Sequence, residues 1–155
     1  MMQLVSFMIV AGGFHNGEVR GDGKADAYEV LRPYIVEEDP QPRTPRLPSP
    51  EDPYNVEEEL VNATNHLHLH LKGPEIKATI GLFEDSMTAE RFGGDRVCDL
   101  LVEAARAANW VIIAPGSPTC ITRESQRKHL PPDLAEHVAL VASGYDLIEA
   151  FDTEV

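Results

Sequence analysis

Three histidines, His66, His68 and His70, alternate with Leu67, Leu69 and Leu71. Successive side chains of an extended strand point to opposite faces, so this spacing sets imidazoles on one face and aliphatics on the other. Two neutral imidazoles at i and i+2 can chelate one zinc or another divalent transition-metal ion. Three cannot readily close on it, because at ~3.3 Å rise per residue the outer pair stand roughly 13 Å apart at Cα. A metal-binding protein or metal-dependent enzyme built on His66, His68 and His70 therefore needs a further ligand from elsewhere in the chain. The row has two other uses. Protonated rings in file repel one another, which makes a pH switch, and an open face carrying His, Thr79, Lys77 and Phe83 makes a docking surface.

Other nucleophiles are weaker candidates. Cys120 follows Pro115-Gly116-Ser117-Pro118-Thr119 at the end of an apolar segment, where site-bearing loops commonly sit, and a thiolate there could pair with His129 or His15. Nothing nearby in sequence lowers its pKa, so a structural cysteine is expected. Ser117 lacks the second glycine of a nucleophile elbow. Gly21-Asp22-Gly23-Lys24 lacks the upstream glycine and following hydroxyl of a phosphate loop. Two cysteines, Cys98 and Cys120, make neither a disulfide framework nor a closed metal site and fit a reducing, cytoplasmic setting.

Charge points to a different class of function. Twenty-six acids against thirteen bases leave a net charge of −13. Such a field opposes nucleic acid and anionic membrane surfaces and favours fast encounter with basic partners. The span 37–59 holds eight acids and six of the twelve prolines. Each proline removes a backbone donor and restrains its predecessor, so an extended acidic loop, functional or mobile, is expected there. The leading expectation is a non-enzymatic binding protein that engages a basic protein, such as an inhibitor or immunity-type protein. Glu37, Glu38, Asp39, Glu57, Glu58 and Glu59 would steer the encounter, with Tyr34 and Tyr54 as apolar anchors. A structural subunit of a homo-oligomeric assembly is the third class.

The elements that position these groups follow from periodicity. Residues 66–83 read as a β-hairpin turning at Gly73-Pro74, with Lys72 opposite Glu75, Leu71 opposite Ile76 and Leu69 opposite Ala78; Lys77 then lies beside His70. Gln3 to Val10 reads as a buried strand; its apolar run, Leu4 to Val10, is not read as an export signal, since no Lys or Arg precedes it. No run approaches the ~18 apolar residues of a membrane span. Phe14 to Lys24 reads as a long turn or a loose hairpin. A short helix from Ala25 to Arg32 ends at Pro33, with Val30, Leu31 and Tyr34 inward. Glu84-Asp85-Ser86 offers caps for a brief helical turn broken at Gly93-Gly94.

From Asp95 to Ala108, Val97, Leu101, Ala104 and Ala108 form one apolar stripe, and Asn109 is a left-handed stop. Trp110 to Ala114 reads as an inner strand. Thr122 can cap a helix through Lys128. Pro132 to Ser143 has helical spacing, although Val138 to Ala142 fits a strand equally, and Tyr145 to Phe151 reads as a last strand. The sum is one α+β domain over residues 1–155. Its β-α-β-β-α-β order is that of a ferredoxin-like sandwich, with a carboxy-terminal helix-strand extension.

Overall fold

The computed structural model describes residues 8–40 and 67–152. In chain order the strands are β1 (Ile9–Gly12), β2 (Phe14–His15), β3 (Glu18–Val19), β4 (Ile35–Pro40), β5 (Leu67–Gly73), β6 (Ile76–Leu82), β7 (Ser86–Gly93), β8 (Val111–Ile113), β9 (Thr119–Ile121) and β10 (Val138–Leu140). The helices are α1 (Lys24–Leu31), α2 (Val97–Ala108), α3 (Pro132–Ala135) and α4 (Gly144–Phe151), with 3-10 segments at Arg32–Tyr34 and Glu124–His129. Among the described residues, eight strands form one sheet in the order β10-β9-β8-β1-β7-β6-β5-β4, and β2 pairs only with β3. The β9–β10 pair is parallel and every other neighbouring pair is antiparallel.

Helix α2 forms where the apolar stripe is strongest. Val97, Leu100, Leu101, Ala104, Ala105 and Ala108 are buried, while Asp99, Glu103 and Arg106 face water. Asn109 ends it in the left-handed conformation at φ 61°, its amide bonding Ala105 and Arg106 carbonyls. Full burial of each large aliphatic contributes roughly 1.5–3 kcal/mol, so this stripe anchors the helix layer. Helix α2 lies between α1 and α4. Together they cover the sheet face that carries Ile9, Leu69, Leu71, Ile80, Leu82, Met87, Ala89 and Ile112.

The hairpin alternates as its sequence dictates, but its register differs by two residues from expectation. Leu71 faces Ala78, Leu69 faces Ile80 and Lys72 faces Lys77. Pro74 and Glu75 are the two loop residues, with Glu75 at φ 61°. Proline suits the first central position of a turn and is disfavoured at the second, where the expected pairing of Lys72 with Glu75 would have set it. A shift of two leaves every side chain on its expected face. It also moves Lys77 away from His70 and opposite a second lysine.

Several expectations fail for identifiable reasons. Glu84-Asp85-Ser86 caps no helix. Phe83 donates its amide to the Ser86 carbonyl at 2.8 Å, closing a tight turn into β7, because acids and serine serve turns as readily as caps. Met87 and Ala89 of β7 are buried against the helices. After Glu90 the register with β6 shifts. Arg91, at φ 51°, then lets Phe92 return to the core. Residues 37–40, expected as loop, belong to the edge strand β4.

The carboxy-terminal third also differs. Residues 119–121 form β9, and Thr122 does not cap the 3-10 segment; its hydroxyl donates to the Trp110 carbonyl at 2.8 Å. The helix expected over 132–143 ends at Ala135, and the strand alternative holds for Val138–Leu140. Tyr145 to Phe151 is helical, not extended. Ser143 accepts the Asp146 amide at 3.3 Å, and Leu147 and Ala150 are buried on one side of α4. Up to Ala114 the order is β-β-β-α-β-β-β-β-α-β where β-α-β-β-α-β was expected, the paired β2 and β3, β4 and β7 being additional.

The opposite sheet face is covered at one end. There Val111, Ile121 and Leu130 form a second apolar cluster with Phe14, Ile113 and Val138 against them. The β2–β3 hairpin and the 3-10 segment at Glu124–His129 lie over this cluster. No helix among the described residues is long and apolar enough to cross a membrane. The start of the first predicted strand, residues 41–59 of the acid- and proline-rich span, and residues 60–66, His66 among them, lie outside the described residues.

Candidate functional site

Strand β5 puts His68 and His70 side by side, their rings stacked with centroids 4.9 Å apart and planes at 28°. Both are half-buried on the face away from the helices. On one flank β6 sets Gly81 opposite His68 and Thr79 opposite His70. On the other flank β4 sets Asp39 opposite His68 and Glu37 opposite His70. Register thus sets Glu37 beside the imidazole row, a pairing that no local pattern in the sequence specifies. Among the described residues, no group of three or more His, Cys, Asp or Glu side chains is arranged to hold a metal ion.

Alternation along β4 separates neighbouring acids. Ile35 pairs with Leu71, a bulge follows, and Glu37 then pairs with His70 while Glu38 pairs with Leu69. Leu69 is a core residue, so Glu38 lies on the helix side of the sheet edge. There Tyr28 of α1 donates its hydroxyl to Glu38 Oε2 at 2.7 Å. This hydrogen bond to the neutral phenol, with burial second, raises the Tyr28 pKa above the ordinary phenol value.

Between α1 and this sheet edge lies a cleft of about 390 Å³. Its polar lining is Asp22, Lys24, Glu29, Glu38 and Glu84 around Tyr28, and its apolar lining is Ala25 and Leu67. One ammonium stands among four carboxylates. Lys24 Nζ lies 3.6 Å from Glu84 Oε1, and Glu29 lies 3.7 Å from Arg32. The amino-terminal turns of α1 supply Lys24, Ala25, Tyr28 and Glu29 at i, i+1, i+4 and i+5, which places them along one side of the helix. That periodicity was the available signal for the α1 wall. Asp22 and Glu84 reach the cleft from loops distant in sequence and carried none.

Of the residues expected to meet a partner, Glu38 lies in this cleft and Glu37 on the imidazole face. Asp39 is placed by backbone register alone. Tyr34 is no free anchor, because it packs against the core and against the β5–β6 turn, where a Cβ on Gly73 would stand 2.8 Å from its ring. Tyr54, Glu57, Glu58, Glu59 and His66 lie outside the described residues.

Neither thiol has the setting of a nucleophile. Cys98 and Cys120 are buried and not joined in a disulfide, and burial pushes the pKa of each up to about 11. Cys120 Sγ lies 3.4 Å from the Pro118 carbonyl as a donor. No protein-family model, no curated protein and no solved structure matches the chain.

Proposed function

We propose that this protein is a non-enzymatic, acidic binding protein whose cleft between α1 and the β4–β5 edge receives cationic side chains of a basic protein partner. The observation that carries the reading is the cleft itself, with four carboxylates and one ammonium around Tyr28 and Leu67. Carboxylates at the rim speed association and set specificity, while the aromatic and aliphatic floor takes the methylene stem of Lys or Arg. An inhibitor or immunity-type protein acting on a basic target is the form that best matches a net charge of −13. Two buried thiols that are not joined in a disulfide support a reducing, cytoplasmic setting.

The scaffold is an enlarged ferredoxin-like sandwich. Supporting this, β8-β1-β7-β6 run antiparallel in the order 4-1-3-2, with α1 after β1 and α2 after β7 on one face. Strands β4 and β5 widen the sheet on one side, and the cleft forms where that addition meets α1.

The test uses a labelled arginine-rich peptide as probe. Its binding is compared for the wild-type chain, a Asp22→Asn/Glu38→Gln/Glu84→Gln variant, and a charge-matched Glu103→Gln/Asp133→Asn/Glu136→Gln control. The expected result is salt-sensitive binding lost in the cleft variant and kept in the control. Equal loss in both variants, or binding indifferent to ionic strength, would overturn the proposal.

A further inference from the structure

One histidine holds the β2–β3 hairpin to the 3-10 segment beside it. His129, the last residue of that segment, accepts two hydrogen bonds from the hairpin turn. Its ring Nδ1 accepts the Asn16 amide at 3.2 Å, and its carbonyl accepts the Gly17 amide at 2.9 Å. The His15 ring stacks on the His129 ring with centroids 4.7 Å apart and planes at 23°. Asn16 and Gly17 are both left-handed, at φ 50° and 84°, so the turn is a tight two-residue loop of the Asn-Gly kind. A two-stranded hairpin of two residues per strand has little stability of its own, and its contacts decide whether it stays in place.

We propose that His129 is an acid-sensitive latch: a proton taken up at Nδ1 turns the acceptor for the Asn16 amide into a donor and releases the β2–β3 hairpin from the sheet. This goes beyond the cleft reading and does not depend on it. An acceptor at Nδ1 requires the neutral ring with its hydrogen on Nε2. Protonation sets two N–H groups against each other and makes no new partner. Protonation also places a positive charge against the stacked His15 ring and beside Lys128.

The groups acting on the ring are positive or neutral. His15 faces it from the hairpin and Lys128 precedes it in its own segment, while Glu18 stands across the β2–β3 ladder from His15. Burial first, then His15 and Lys128, hold the His129 pKa below the ordinary histidine value. A base whose folded pKa is depressed stabilises the docked form above its unfolded pKa, and that contribution is lost as pH falls through the folded value. Release therefore occurs on the acid side of neutrality. Phe14 would leave the cluster of Val111, Ile121 and Leu130, uncovering apolar surface on that sheet face.

Amide hydrogen exchange tests the latch. Protection of the Asn16 and Gly17 amides, corrected for intrinsic rates and referred to core amides such as Leu101, is measured from neutral to mildly acid pH. The expected loss is on the order of tenfold, the worth of one hydrogen bond. In His129→Gln, which retains an acceptor that does not titrate, protection no longer changes over that range. In His15→Gln, which removes one cause of the depression, the midpoint moves up towards the ordinary histidine value. Ring ¹⁵N shifts of wild-type His129 give an independent midpoint that must coincide with the loss of protection. Constant protection in the wild type, an unchanged pH response in His129→Gln, or midpoints that do not coincide would each overturn the proposal.

Discussion

The amide of Gly144 donates to the Oδ1 of Asp99 at 2.7 Å, fastening the first residue of α4 to the first turn of α2. A Cβ on Gly144 would stand 2.4 Å from the Asp99 amide nitrogen and 2.8 Å from the Cys98 carbonyl carbon. The same device operates at the other end of α2, where a Cβ on Gly23 would stand 2.4 Å from the Ala108 carbonyl oxygen. Two glycines thus set how closely α1 and α4 approach the central helix. The cleft wall formed by α1 inherits its position from Gly23.

Gly144→Ala is expected to destabilise the fold by about 1–3 kcal/mol, because the clash is with backbone that cannot rotate away. Urea unfolding measures it. A midpoint equal to wild type would show that α4 can shift without cost and that the close approach is incidental.

The turn between β5 and β6 makes an opposite prediction for two neighbours in space. Glu75 holds φ 61°, which costs a residue with a Cβ about 1 kcal/mol, so Glu75→Gly is expected to stabilise or be neutral. Gly94 sits at φ 101° with a Cβ position 2.2 Å from the Glu75 carbonyl oxygen. Gly94→Ala must therefore destabilise by more than Glu75→Gly can gain. Thermal unfolding of the two variants compares them, and a reversed order would refute this account of the turn.

Where sequence signals were local, they were legible. The alternation of residues 67–82, the α2 stripe and the Asn109 stop each depend on neighbours within a few positions. Strand β7 was hidden because its flanking signals, Glu84-Asp85-Ser86 and Gly93-Gly94, serve turns and helix ends alike, and its alternation is broken at Arg91. Helix α4 reads as a strand from sequence because its short segment, apolar at Tyr145, Leu147, Ile148, Ala150 and Phe151, does not separate the two periods. The Ser143 cap is the local mark that distinguishes them. The cleft was illegible for another reason: Asp22, Glu38 and Glu84 meet only through sheet order, which no local pattern specifies.

A buried amide carries more weight than its sequence position suggested. Gln126 Oε1 accepts the Thr122 amide at 2.8 Å and the Arg123 amide at 3.1 Å, and its Nε2 donates to Asn109 Oδ1 at 3.0 Å and to the Trp110 carbonyl at 3.3 Å. Gln126→Leu would leave buried groups without partners, each costing about 1–3 kcal/mol. A loss of at least about 2 kcal/mol is expected by chemical denaturation, with Gln126→Glu retaining the two acceptor contacts and losing less. Equal losses in both variants would mean that size, not hydrogen bonding, is what the site requires.

The two thiols give the fold an alkaline limit. Burial raises the pKa of Cys98 and Cys120 from the ordinary thiol value of 9.0 to about 11 each. A raised folded-state pKa means that the unfolded chain releases these protons first. Their contribution is therefore complete below pH 9 and declines as pH rises towards 11. Stability is expected to fall across that window, and Cys98→Ala or Cys120→Ala should each flatten the fall while lowering stability at neutral pH through the cavity left behind. The same burial keeps both thiols from a disulfide-exchange reagent until the chain opens, so labelling at mildly alkaline pH should track unfolding. Rapid labelling of Cys120 in the folded protein would instead reveal an accessible thiolate and reopen the nucleophile reading that its surroundings argue against.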